Sequence, residues 1–164
     1  IGNPFSGLLY AGLALTKRGI RVIEFNARFG DPETQVVLAR LQTPLSSVLY
    51  AASTGSLHSL PPLQWSDEAA VTVVVASENY PESPVLGDRI EGLAEADAVE
   101  GVDVFHAGTS HVDGEIVTAG GRVLSVTAVG TDLAQARARA YEAISKITIR
   151  GAHFRTDIAE RASV

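Results

Sequence analysis

An α+β fold in two parts is predicted for this chain by three observations. Short runs rich in apolar and β-branched residues are punctuated by Gly-containing turns, as antiparallel strands require. Helical spacing of apolar residues appears in two separate regions, near 33–55 and near 132–147. Between the first helical region and the later strands lies a segment, Ser56 to Asp67, rich in Gly, Pro and Ser neighbours and carrying Pro61-Pro62, which reads as a connector. With 164 residues, 46% of them hydrophobic and 20% charged, the chain is long enough to bury a true core.

The elements follow in order. Leu8 to Thr16 is an apolar run bounded by Gly7 and by Lys17-Arg18-Gly19, and Ile20 to Phe25 is a second run, so the two predict an antiparallel pair joined by a tight turn. Gly30-Asp31-Pro32-Glu33-Thr34 then ends the strand and starts a helix reaching about Leu41. Asp31 suits the N-cap, Pro32 the first helical position, and Glu33 the first turn, where the helix dipole favours an acid. Pro44 opens another helix whose Leu45, Val48, Leu49 and Ala52 share a face before Gly55 ends it.

Beyond the connector, Ala70 to Ala76 is a β-branched strand. Further strands are predicted at Val102 to His106, Glu115 to Thr118 and Arg122 to Val129, separated by Asp113-Gly114 and Gly120-Gly121 as hairpin turns. The last helix runs from Asp132 to about Ile147, capped by Thr131, with Leu133, Ala136, Ala140, Ile144 and Ile147 on the face that packs across the sheet.

Composition narrows the function. No stretch reaches the roughly 18 to 20 apolar residues of a membrane span, and Ile1-Gly2-Asn3-Pro4-Phe5 lacks the order of a signal peptide, so a cytoplasmic protein is expected. A net charge of -6 with 13 scattered basic residues disfavours a nucleic-acid partner. There is no cysteine, so thiolate chemistry and cysteine-ligated zinc are excluded, and a metal would need oxygen or imidazole ligands, as a hard ion such as magnesium prefers. Methionine is absent even from the first position, which reads as a fragment or a processed chain.

Candidate chemistry concentrates in Ile23-Glu24-Phe25-Asn26. Residues two apart in a strand share a face, so the Glu24 carboxylate and the Asn26 amide oxygen converge while Ile23 and Phe25 turn away. Magnesium is commonly held by one or two protein oxygens with water and substrate phosphates completing the octahedron, and the pair is a fitting but incomplete site. Arg28 continues the alternation if the strand persists, and could hold phosphate or carboxylate oxygens. Each residue also has a plainer reading: Glu24 and Asn26 as a solvated strand face, Arg28 as a surface cation, and Asp31 as a helix cap. The start of the Pro32 helix offers an anion site that Asp31 and Glu33 would oppose, a tension that an amine-bearing substrate resolves.

These residues resemble a known family. Glu24-Phe25-Asn26-Ala27-Arg28-Phe29-Gly30-Asp31-Pro32-Glu33-Thr34-Gln35 is similar to the signature of the phosphoribosylamine–glycine ligases, also called glycinamide ribonucleotide synthetases. The likeness extends through Gly7-Leu8-Leu9-Tyr10-Ala11-Gly12-Leu13, Gly87-Asp88-Arg89-Ile90, Phe105-His106-Ala107-Gly108-Thr109 and Gly120-Gly121-Arg122-Val123-Leu124, nearly the whole chain.

The resemblance implies an ATP-grasp enzyme of purine synthesis that activates glycine as an acyl phosphate, which the amine of 5-phosphoribosylamine attacks to give glycinamide ribonucleotide, ADP and phosphate. It implies Glu24 and Asn26 as ligands of Mg2+ or Mn2+, Arg28 as the catalytic contact to phosphoryl or acyl-phosphate oxygens, and Asp31 and Gly30 at the substrate amine. Arg122, after the Gly120-Gly121 turn, would pair with the ribose phosphate; an exposed Arg on a hairpin turn is the alternative.

His106 and His111 fit no recognised ligand spacing and read as loop histidines. Ser77-Glu78-Asn79-Tyr80-Pro81 departs from the family, which usually has glycine before the Tyr-Pro pair, and puts local loop shape in question. Residues 1–60 are expected to form the C-terminal part of an ATP-grasp domain, and residues 68–164 a small antiparallel-sheet subdomain with a packed helix. Leu8 to Thr16 holds no acid to serve as a third metal ligand. The nucleotide lid and phosphate-binding lysine of the family are absent too, so the chain alone is expected to be inactive and to depend on upstream domains, with the full-length enzyme a monomer. A non-catalytic binding module and another ATP-grasp carboxylate–amine ligase are the competing readings.

Overall fold

The computed structural model describes residues 2–162 and divides into two compact units. The first comprises the chain up to Thr34 together with Leu41–Ser66; the second comprises Gln35–Arg40 together with the chain from Asp67 onward.

In the first unit, β1 (Tyr10–Thr16) and β2 (Gly19–Asn26) form an antiparallel pair. Their turn is closed by the Thr16 hydroxyl, which donates to the Gly19 carbonyl at 2.8 Å and accepts from the Arg18 N–H at 3.1 Å. The register shifts once: Gly12 pairs with Glu24, but Leu13 pairs with Val22, so Ile23 is an extra residue in β2. This bulge has a sequence logic. It lets Ala11, Leu13 and Leu15 share a face with Phe25, Val22 and Ile20, while Tyr10, Gly12 and Ala14 share the other with Asn26, Glu24 and Arg21. Without it, Val22 would fall on the face of Glu24. The apolar face is exposed, with Leu15 at 87% and Phe25 at 60%.

Helix α1 (Glu33–Arg40) begins one residue later than expected. Pro32 therefore precedes the helix rather than opening it; the Asp31–Pro32 peptide is cis, and the first turn is closed by the Thr34 N–H on the Gly30 carbonyl at 3.2 Å. Helix α2 (Leu45–Ser53) follows Pro44 and stops at Gly55, whose φ of +71° is readily adopted only without a side chain. The connector carries one 3-10 turn, Leu57–Ser59, and is tied back by the Gln64 N–H on the Thr43 hydroxyl at 2.8 Å.

The second unit contains β3 (Ala69–Ala76), β4 (Ile90–Glu91), α3 (Leu93–Asp97), β5 (Val102–His106), β6 (Thr109–Val112), β7 (Glu115–Thr118), β8 (Arg122–Gly130), α4 (Leu133–Lys146) and β9 (Thr148–Ile149). Its main sheet is antiparallel with order β3-β8-β5. Pairing puts Val71, Val73 and Val75 on one face with Ala128, Val126 and Leu124, and these join Ala136, Ala140, Ala143 and Ile144 of α4 in the core. Small residues on α4 let it lie close: a Cβ on Gly130 would come within 2.6 Å of the Ala136 nitrogen. The opposite sheet face carries Thr72 and Thr127, whose hydroxyls meet at 2.8 Å, and Ser125, which accepts a bond from the Gln35 amide at 3.4 Å.

Two local expectations need correction. Asp113-Gly114 is a hairpin turn, with φ of +49° and +87° as a type I′ turn requires, and joins β6 to β7. Gly120-Gly121 is not: β7 pairs with β6 while β8 pairs with β3 and β5, so these glycines carry the chain from one sheet to another. Helix α4 is capped by Asp132 rather than Thr131, since the Asp132 carboxylate accepts the Gln135 N–H at 2.8 Å and the Gln135 side chain returns to the Thr131 N–H at 2.8 Å.

Candidate functional site

Glu24 and Asn26 lie on one face of β2, opposite Gly12 and Tyr10 of β1. Gly12 is buried and makes the space for its partner: a Cβ there would sit 3.1 Å from Glu24 Cγ and 3.5 Å from the Tyr10 ring. Two oxygen-bearing side chains therefore project from a narrow stretch of strand across from a residue with no side chain. Among the described residues no three acidic, histidine or cysteine side chains gather into a closed metal site. What the hairpin offers is an open pair of oxygen donors, the kind magnesium or manganese takes when phosphates and water supply the rest.

Arg28 is not on the strand. β2 ends at Asn26 because β1 begins at Tyr10, its partner, and no strand remains to pair with residues 27 and 28. Arg28 stands in a bend, exposed, and its Nη1 donates to the Phe29 carbonyl at 2.7 Å. The alternation that brings Glu24 and Asn26 together thus does not extend to Arg28, which reaches its surroundings from a loop.

The loop continues through Gly30 and Asp31 into α1. Gly30 is buried, and a Cβ on it would meet the Glu33 Oε2 at 2.6 Å, so the glycine gives the Glu33 carboxylate room to lie against the backbone. The other oxygen of Glu33 accepts a hydrogen bond from the Tyr10 hydroxyl at 3.3 Å. Partial desolvation, then the charge and hydrogen bond of Glu33, then the charge of Glu24 hold the Tyr10 phenol above its ordinary value. Tyr10 and Gly12 carry no site role in the sequence reading, whereas Glu33 stands there beside Asp31 as an acid that an amine-bearing substrate would satisfy. The signal for the first two was present: they have the same two-residue spacing in β1 that Glu24 and Asn26 have in β2.

Arg122 lies in the second unit, at the start of β8. Its Nε donates to the Tyr80 hydroxyl at 3.1 Å. The Tyr80 ring covers Gly121 so closely that any side chain there would overlap it. The buried Ser77 hydroxyl donates to the Gly120 carbonyl at 3.2 Å, and the Ser77 N–H to the Gly121 carbonyl at 2.9 Å. The 77–84 loop is thereby seated on the Gly120-Gly121 crossing. Asn79, where glycine was expected, sits at φ +62°, a left-handed conformation that asparagine tolerates better than most side chains. The same loop is fastened below by Arg150, which bonds Asp88 at 2.7 and 2.8 Å and Glu78 at 3.3 Å. His106 and His111 are strand residues rather than loop ones: His106 ends β5, with its Nδ1 3.0 Å from the hydroxyl of Thr109 at the start of β6, and His111 lies within β6.

Comparisons with known proteins bear on both units. Residues 70–161 match the family model "Phosphoribosylglycinamide synthetase, C domain", and residues 1–34 match "Phosphoribosylglycinamide synthetase, ATP-grasp (A) domain". The phosphoribosylamine–glycine ligase of Streptomyces coelicolor is 64% identical over 164 residues, covering 99% of this chain and 39% of that protein. The ligase of Mycobacterium tuberculosis is 55% identical over 163 residues, covering 99% and 37%. Among solved structures, the phosphoribosylamine–glycine ligase of Thermotoga maritima superposes with a TM-score of 0.77 at 33% identity, covering 91% of this chain and 36% of that one. N5-carboxyaminoimidazole ribonucleotide synthetase of the same organism gives 0.58 at 23% identity over 88% and 37%, a likeness of fold alone. The chain thus spans about two fifths of the length of the curated relatives it matches.

Proposed function

Because the chain belongs to the phosphoribosylglycinamide synthetase family, we propose that it supplies the metal-binding and acceptor side of an ATP-dependent ligase that joins glycine to 5-phosphoribosylamine in purine synthesis. The observation that carries this reading is the placement of Glu24 and Asn26 on one strand face, opposite Gly12, directly before the Arg28–Gln35 signature loop.

In the proposed reaction the γ-phosphoryl group of ATP passes to the glycine carboxylate, giving glycyl phosphate and ADP. The amine of 5-phosphoribosylamine then attacks the acyl carbon, phosphate leaves, and the amine gives up a proton as the amide of glycinamide ribonucleotide forms. Glu24 and Asn26 would hold Mg2+ or Mn2+, which neutralises charge on the nucleotide phosphates. Arg28, exposed in its bend, is the cation for the oxygens of the transferring or acyl phosphate. Asp31 and Gly30 face the substrate amine, where a carboxylate offsets an ammonium charge. Arg122, steadied by Tyr80, is the candidate for the ribose phosphate.

The remaining machinery, the nucleotide lid and its lysine, belongs to upstream domains of the same polypeptide. Those domains are also the natural cover for the exposed apolar face of the β1–β2 pair. On this reading the full-length protein works in the cytoplasm as a monomer, and the isolated segment is inactive.

The test is ADP release by a full-length polypeptide carrying this segment, with 5-phosphoribosylamine and Mg2+ present, against glycine and a panel of other carboxylates. Release that depends on glycine supports the ligase. Release with another acid in its place would assign the site to a different carboxylate–amine ligase, and no acid-dependent release would leave a non-catalytic binding module.

A further inference from the structure

One residue of β1 touches both ends of the loop that carries Arg28 and Asp31. The loop leaves the hairpin at Asn26 and enters α1 at Glu33. Tyr10 is the strand partner of Asn26, and the hydroxyl of the same residue donates to Glu33 Oε1 at 3.3 Å. On its far side the Glu33 carboxylate rests on the bare Cα of Gly30, where a Cβ would approach Oε2 to 2.6 Å.

Two bonds of the loop are short-range. Arg28 donates to the neighbouring Phe29 carbonyl, and the Thr34 N–H bonds the Gly30 carbonyl. These shape the turn but do not fasten it to β1. The Tyr10–Glu33 bond spans 23 residues of sequence and does so. The Tyr10 ring also lies beside Gly12, across from the stem of Glu24, so the same side chain borders the metal-ligand face.

We propose that Tyr10 is a positioning residue: its backbone pairing with Asn26 and its hydroxyl on Glu33 clasp the 27–32 loop, fixing Arg28 and Asp31 relative to Glu24 and Asn26. This rests on the reading above that Arg28 and Asp31 meet the reacting groups. It also gives Gly30 and Glu33 of the signature a shared structural duty. Gly30 is small so that the Glu33 carboxylate can lie flat on it, and Glu33 is the handle by which β1 holds the loop. A loop held at both ends loses less conformational freedom when substrate binds, so the clasp acts chiefly on glycine use and little on the metal.

The test uses Tyr10→Phe, which keeps the ring and the strand pairing and removes only the hydroxyl, in a full-length polypeptide carrying this segment. Backbone amide exchange across residues 27–34 is expected to quicken several-fold in Tyr10→Phe while exchange in β8 is unchanged. Equal exchange in the two proteins would overturn the clasp.

In steady-state assays, kcat/KM for glycine is expected to fall on the order of tenfold, as for loss of a hydrogen bond supporting a site, with the KM for ATP and the Mg2+ half-saturation within about twofold of wild type. Glu33→Ala should match Tyr10→Phe, the double variant should be no worse than either, and Glu33→Gln, which keeps an acceptor oxygen, should recover part of the loss. Tyr50→Phe, on the exposed face of α2, serves as the control without effect. Equal loss in all kinetic constants together, or additive effects of Tyr10→Phe and Glu33→Ala, would reduce Tyr10 to a general structural role and overturn the proposal. A wild-type polypeptide with no glycine-dependent ADP release would overturn the proposed reaction and with it the positioning role, while the exchange result would still decide the clasp.

Discussion

Gly12 and Glu24 face each other across the β1–β2 pair, close enough that a single added methyl on Gly12 would lie 3.1 Å from Glu24 Cγ. The glycine is therefore part of how the Glu24 carboxylate is aimed. Gly12→Ala displaces the stem of Glu24 by a few tenths of an ångström, and the expected result is a Mg2+ half-saturation raised about tenfold, in the range seen when a metal ligand loses its support. Titration of activity with Mg2+ at saturating ATP measures it.

Gly121→Ala forces the new methyl into the Tyr80 ring. Because Tyr80 also receives the Arg122 Nε, the substitution should both destabilise the fold, by about 1–3 kcal/mol as for overpacking, and move Arg122. Denaturant unfolding reads the first effect. The second reads as a raised KM for 5-phosphoribosylamine with the KM for ATP unchanged.

The sheet and helix of the second unit supply a graded pair of stability tests. Leu124 is fully buried in the central strand, and Leu124→Ala should cost about 2–5 kcal/mol through lost burial and the cavity left behind. Asp132→Ala removes only the cap of α4 and should cost about 1 kcal/mol. Equal losses in chemical denaturation would contradict the division of labour between core and cap.

Tyr10 carries a pH signature. Its phenol is raised by desolvation first and then by Glu33 and Glu24, so the neutral form is favoured in the folded state. Such a raised group contributes stability that is complete below the ordinary tyrosine value of about 10 and is lost as pH climbs through the higher folded value. The tyrosinate absorbance that disappears on Tyr10→Phe, taken as a difference between the two titrations, should therefore have its midpoint above about 10. A midpoint at or below it would contradict the partly desolvated, acid-flanked setting of the phenol.

Local pattern carried much of this far. The apolar runs of β1, β2 and β3, the Asp113-Gly114 hairpin and the buried stripe of α4 are all written in short-range spacing, and the structure has them where spacing places them. Long-range pairing is what short windows miss. The two-residue strands β4 and β9 exist only through each other, across more than fifty residues, and Gly120-Gly121 looked like a hairpin until β7 and β8 took different partners. The site divides the same way. Glu24 and Asn26 follow from alternation along one strand, whereas the end of that alternation before Arg28 depends on where β1 begins. The Tyr10–Glu33 bond depends on how the 27–32 loop turns back toward β1.

Glu24 and Asn26 as metal ligands are open to a single experiment. Glu24→Ala and Asn26→Ala are each placed in a full-length polypeptide carrying this segment, and glycine-dependent ADP formation is followed as Mg2+ or Mn2+ is titrated. Both variants should fold with wild-type unfolding midpoints and lose the activity at every metal concentration. Activity retained by either variant at the wild-type metal half-saturation would contradict their role as ligands.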